Sequence, residues 1–149
     1  MSQLAPLTKE EIEAMVADWY VGLDVHRAQV DMIKYVHSTD LQMRFPEATL
    51  YTQAEFELWF QGVIRIFFDE VHTMQSLDVQ VSEDGSKADV KLVVRWEASR
   101  WKAPAAKSER LIFDAYQTWE IKRDPKSLAP AITIYIVDEL RQLPGGVPL

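Results

Sequence analysis

The 149-residue sequence contains no cysteine. That excludes disulfides, thiolate nucleophiles and cysteine-ligated metals. Long apolar runs are also missing: Val63–Phe68 is broken by Arg65, and Ile132–Val137 is far shorter than the ~20 residues a membrane helix needs. Met1 is followed by Ser-Gln-Leu-Ala-Pro rather than by a basic stretch and an apolar core. No secretory signal is therefore expected, and the expected location is cytoplasmic. Basic charge is in deficit, with 16 Lys plus Arg against 23 Asp plus Glu and a net charge of −7. A nucleic-acid surface, which needs a basic footprint, is not expected, and neither is a membrane partner. Glycine-rich phosphate loops, nucleophile elbows and His-x-x-x-His pairs are absent; Gly145-Gly146 lacks a strand-to-helix context. No metal site and no cofactor are expected.

What the chain does contain is apolar and aromatic material. Hydrophobic residues make up 48%, among them five Trp, five Tyr and six Phe, which is ample for one core. Thr8-Lys9-Glu10-Glu11 has the form of a capping box. Ile12, Met15, Val16, Trp19, Tyr20 and Leu23 follow at spacings of three and four, as one face of a helix. Gly22 and Asp24 mark its break, and a second helix is expected over 27–36. Leu41, Met43 and Phe45 alternate with Gln42 and Arg44 as a short strand, stopped by Pro46. A second capping box, Thr52-Gln53-Ala54-Glu55, opens a third helix with the stripe Phe56, Trp59, Phe60, Val63, Ile64, Phe67, Phe68, ending at Asp69-Glu70.

From there the pattern is β. Strands are expected over 71–82, 87–102, 110–122 and 131–140, the first two joined at Asp84-Gly85. Residues 1–7 and 141–149 read as loose termini of a single 1–149 domain. Helices grouped before strands define an α+β class: three N-terminal helices on a curved, mainly antiparallel sheet of four to six strands.

This order, with Trp19-Tyr20, Phe45-Pro46, Trp59-Phe60, His72 and Trp96, resembles the SnoaL-like branch of the nuclear transport factor 2-like superfamily over about residues 8–140. The resemblance implies a cone-shaped α+β barrel with an apolar pocket between the sheet and the long helix. It also implies a homodimer paired through the outer sheet face. In the isomerases of that superfamily a base carboxylate stands where this chain has Phe45, so their base is missing here. Their helix-one tyrosine has a counterpart in Tyr20, and their second oxyanion donor falls near Gln117. An epoxide-hydrolase arrangement would need Asp40, Arg44 and Asp114 to converge. The reading preferred for these is a turn residue at Asp40 and an exposed strand residue at Asp114.

His72 is the best single candidate for acid–base work, because an imidazole changes charge near neutral pH. His26 and His37 read as surface residues. Strict alternation puts His72, Met74 and Ser76 on one face and Leu77, Val79 and Val81 on the other. Only a bulge near Ser76-Leu77 would turn both sets inward. A structural histidine bonded to backbone is the competing reading. Val90, Leu92, Val94, Trp96 and Ala98 share an inward face of the next strand. The candidate residues are thus His72 and Tyr20 for catalysis. Trp59, Trp96, Trp119, Phe45, Arg44 and Gln117 are the candidates for binding a small hydrophobic or cyclic molecule. Two functions stay open: a cofactor-independent isomerase, dehydratase, cyclase or hydrolase, and a non-catalytic carrier or accessory subunit resembling the small subunit of ring-hydroxylating dioxygenases. An accessory role predicts a filled cone; catalysis requires His72 to face a cavity beside a second polar group.

Overall fold

The computed structural model describes residues 4–149. Helix α1 (Lys9–Asp24) opens on the Thr8–Glu11 capping box, with both reciprocal hydrogen bonds made. Its apolar stripe is buried from Ile12 to Leu23. The second helix is shorter than 27–36: α2 (Gln29–Met32) gives way to a 3₁₀ turn over Ile33–Tyr35. Neither α2 nor the 3₁₀ turn has a side-chain cap, and so short a segment depends on packing to persist. Strands β1 (Gln42–Arg44) and β2 (Thr49–Leu50) form a small hairpin around Pro46, followed by α3 (Gln53–Ile66).

Helix α3 ends three residues before Asp69, as Phe67 and Phe68 already belong to β3 (Phe67–Val81). The helical spacing of these two aromatics was misleading, because Phe67 is extended and pairs with Arg100. Strands β4 (Ala88–Arg100), β5 (Glu109–Arg123) and β6 (Pro130–Gln142) complete an antiparallel meander. The sheet order is β2-β1-β6-β5-β4-β3, with β1 parallel to β6. Three helices therefore lie against an open, curved six-stranded sheet, the α+β architecture expected. Among the described residues no helix is long and apolar enough to cross a membrane.

Trp19 is the centre of the core. It meets Tyr35, Phe56, Trp119 and Tyr135 at ring-centroid distances of 5.8–6.2 Å. Phe56 and Phe60, a turn apart on α3, are fully buried. Each large side chain so buried contributes about 2–3 kcal/mol of transfer free energy.

The ends are better tied than expected. Residues 1–3 lie outside the described residues, but Leu7 is buried and its N–H donates to Gly85 O. Gly85 sits at φ +72 in the β3–β4 turn, where a Cβ would collide with Pro6. Arg123 donates to the Ala5 and Pro6 carbonyls and to Glu11. At the other end Leu143 and Val147 donate to Ile112 O and Arg110 O, which extends the β5 pairing beyond β6. His37 is also buried: its Nδ1 accepts from the N–H groups of Thr39 and Asp40, so it organises a turn and is not a surface residue.

Asp124 joins that turn to the sheet. Its carboxylate accepts from the N–H of Ser38 at 2.7 Å and of Lys126 at 2.7 Å. Burial works to raise its pKa, but the Lys126 and Ser38 donors outweigh it and hold the carboxyl below its ordinary value. Replacing Asp124 by Ala should cost about 2–3 kcal/mol, since it removes the charged acceptor of the partly buried Ser38, Lys126 and Ser127 N–H groups. Because the folded-state pKa is the lower one, this contribution is present above about pH 4 and fades as pH falls below it. Urea denaturation of wild type and D124A at neutral and acid pH should show the two curves converging on acidification.

Candidate active site

Two extra residues in β3 decide what faces inward. From Phe68 to Val71 the strand takes three steps while β4 takes two, from Ser99 to Glu97. From Met74 to Ser76 it takes two while β4 takes one. Each bulge inverts the alternation. The inward set is therefore Phe67, Glu70, His72 and Met74, then Leu77, Val79 and Val81. The second bulge is the one the sequence required near Ser76-Leu77. The first has no obvious signal; it puts Asp69 at φ +50 and turns Val71 out to 43% exposure. Arg110 clamps it, donating to Asp69 O at 2.6 Å and to Ser99 Oγ at 3.0 Å.

His72 then meets the end of α1. Its Nδ1 lies 2.6 Å from Asp24 Oδ1, and its backbone N–H donates to Asp24 Oδ2 at 3.1 Å. A carboxylate only accepts, so Nδ1 carries the proton and Nε2 is the nitrogen left free. The imidazole side chain is 8% exposed and lies 4.9 Å from the Tyr20 ring, tilted by 31°. Position, tautomer and ring plane are thus all constrained.

The ring lines a cavity of about 440 Å³ between α3 and the sheet. Its walls are apolar and aromatic, including Phe45, Trp59, Phe60, Phe67 and Trp96; Trp59 stacks on Phe45 at 4.0 Å. On the floor, Gln117 Oε1 accepts from Trp119 Nε1 at 2.9 Å and from Tyr20 OH at 3.3 Å. Both of its lone pairs are used, so the amide orientation is set and Nε2 remains as a donor. Tyr135 lines the same floor. Burial pushes the Tyr135 phenol up to about 12 and the Tyr20 phenol well above its ordinary value, so both are neutral donors at pH 7. Elsewhere on the lining, Glu70 accepts from His26 Nε2 at 2.8 Å and Trp96 Nε1 at 3.1 Å. Glu47 accepts from Trp59 Nε1 at 3.0 Å.

Of the residues expected at the site, His72, Trp59, Trp96, Phe45 and Gln117 line the cavity. Tyr20 stands behind the wall, touching His72 and Gln117. Trp119 is a core residue that does not line the cavity and acts on it from behind, bonded to Gln117 and stacked on Tyr135. Arg44 does not reach the cavity: Met43 beside it is fully buried, so alternation turns Arg44 to solvent. Asp114 pairs with Arg95 at 3.0 Å away from the cavity, but it is only 14% exposed as a side chain and not the exposed strand residue expected. His26 is a partly buried ligand of Glu70 and not a free surface residue. Sequence reasoning missed Asp24, Glu70 and Tyr135. Asp24 did leave a trace, because an acid in the last turn of a helix opposes the helix dipole and has no basic neighbour there.

The helices, the curved sheet and the cavity between them give the chain the nuclear transport factor 2-like fold, as the comparisons bear out. No family model and no curated protein matches the sequence. Solved structures do match. A Novosphingobium aromaticivorans protein classed provisionally as an aromatic ring hydroxylase superposes with TM-score 0.73 at 13% identity, over 90% of this chain and 92% of that one. The hexachlorocyclohexane dehydrochlorinase LinA-type3 of Novosphingobium barchaimii gives TM-score 0.70 at 15% identity, over 95% and 94%. A Streptomyces avermitilis protein classed provisionally as a dehydratase of the nuclear transport factor 2-like family gives 0.71 at 10%, over 91% and 96%. At these identities the likeness is one of fold.

Asp69 supplies a direct test of the bulge that forms the site. A β-branched residue is strained at φ +50, while glycine is at ease there. D69V should lose about 1–2 kcal/mol in urea denaturation, and D69G should be neutral or slightly stabilised.

Proposed function

We propose that the chain is a cofactor-independent acid–base enzyme that removes a proton from a carbon next to a carbonyl in a small hydrophobic, cyclic substrate. The observation that carries this reading is the Asp24–His72 pair at 2.6 Å, its imidazole set into the wall of an apolar cavity. Nε2 of His72 takes the proton. The electron pair moves onto the carbonyl oxygen, which is met by the neutral Tyr135 phenol and the Gln117 amide N–H. Charge that develops in a dry site is stabilised far more than in water by such fixed donors. Asp24 holds the tautomer and stabilises the imidazolium that forms. The intermediate then either expels a group from the neighbouring carbon or recovers the proton from His72 at another position. The dehydrochlorinase and dehydratase names among the fold neighbours agree with the first course. The open cavity weighs against the filled cone expected of an accessory subunit. A cytoplasmic homodimer, joined through the outer sheet face, is part of the same reading.

Hydrogen exchange in D₂O tests it without knowledge of the natural substrate. With 2-tetralone, proton NMR should show the wild-type chain accelerating exchange next to the carbonyl beyond free imidazole at equal concentration. H72A should lose at least about a hundredfold of that acceleration. D24N, which keeps the imidazole but not its orientation, should lose about tenfold or more. Equal exchange rates in wild type and H72A would sink the proposal.

A further inference from the structure

The charges at the cavity are all of one sign. Among the described residues its lining includes no Lys or Arg, while Glu70 and Glu47 both lie on it. Each carboxylate is fixed by an indole N–H, Glu70 by Trp96 and Glu47 by Trp59, so each stands beside the ring of a tryptophan that also lines the cavity. Glu70 is only 10% exposed as a side chain, and the β3 bulge is what turns it inward. His26, its other partner, contacts it from α1's C-terminal side and is not part of the lining. Gln117, 5% exposed, also lines the cavity: its Oε1 accepts from Trp119 and Tyr20, and the Tyr135 phenol, itself on the lining, is in hydrogen-bond contact with the same side chain. Gln117 and Tyr135 are the polar groups that a ligand oxygen would meet there.

We infer that the cavity selects a hydrophobic organic cation: a ring system with an ammonium group beside the buried Glu70 carboxylate, in a cavity whose other lining carboxylate is Glu47, and an oxygen toward Gln117 and Tyr135. This rests on the cavity being the ligand site, as proposed above, and it names the ligand's chemical class. Three terms act together. A carboxylate in a low-dielectric cleft attracts an ammonium more strongly than it would in water. Tryptophan faces attract cations through the ring quadrupole. An anionic ligand meets two carboxylates and no Lys or Arg among the described lining residues, so the site disfavours it. His72 and Glu70 are two residues apart on one strand face, about 7 Å between Cα atoms.

A matched set of probes on one ring decides the matter: 2-naphthylmethylamine, 2-naphthalenemethanol and 2-naphthoic acid, titrated into the full chain at about pH 8, where ordinary histidines are neutral. Calorimetry should give the amine at least about tenfold tighter than the alcohol, with the acid weakest. E70Q should remove most of the amine's advantage and leave alcohol binding unchanged. E47Q, at the exposed mouth, should remove part of it, and serves alone if E70Q unfolds, with thermal unfolding as the check. If the alcohol matches the amine, the cation assignment falls and the cavity reading stands. An amine preference indifferent to both substitutions overturns the role of the carboxylates. If none of the three binds, the proposed ligand site itself fails and the cation goes with it.

Discussion

The site depends on one irregularity in one strand. A regular β3 entered at Phe67 would have pointed Asp69 and Val71 inward and Glu70 and His72 out. The extra residue between Phe68 and Val71 reverses this, at the cost of a left-handed Asp69. Arg110 and Ser99 hold the distortion from β5 and β4. Strain of this kind persists only where the surrounding structure over-determines it. Here the surroundings are two long neighbouring strands whose pairing continues on both sides of the bulge.

Once His72 faces inward, the end of α1 is committed. Asp24 accepts from both the ring and the backbone of His72, so a single carboxylate fixes the helix end to the sheet and orients the imidazole. The electrostatically poor position of an acid in the last helical turn is thereby offset by a tertiary partner. The same logic runs along the floor, where Trp119 and Tyr20 both donate to Gln117 Oε1 and fix its amide. Polar groups in this interior are arranged by other polar groups, and the apolar walls of Trp59, Phe45 and Phe60 keep water from competing with them.

Periodicity read well wherever packing and propensity agreed. The α1 stripe and its capping box, the Thr52 N-cap of α3, the inward face of β4 and the meander of four long strands were all legible. At α3 Glu55 accepts from the Tyr51 N–H instead of closing a box on Thr52. It misread Phe67 and Phe68, which continue the helical spacing of α3 yet belong to a strand. Aromatics favour both an apolar helix face and a pleated surface, so spacing could not choose between them. Hydrogen bonds to β4 made the choice. The short second helix failed for the opposite reason: its length is set by what it touches, not by its own propensity. Arg44 and Trp119 were drawn toward the site by residue type, and alternation and burial placed them elsewhere.

By itself the sequence determined the class of fold, the composition of the core and the candidacy of His72, because these follow from local patterns repeated over many residues. Only the tertiary structure decided the partner of His72 and the inward turn of Glu70. It alone also brought Tyr135 beside Gln117. Asp24 and His72 are 48 residues apart, and Tyr20 and Gln117 are 97 apart. No local period links such pairs. Tyr20 and Gln117 meet because α1 packs across the sheet. Asp24 and His72 meet because one bulge shifts a register by a single residue, and in a strand a shift of one residue exchanges the two faces.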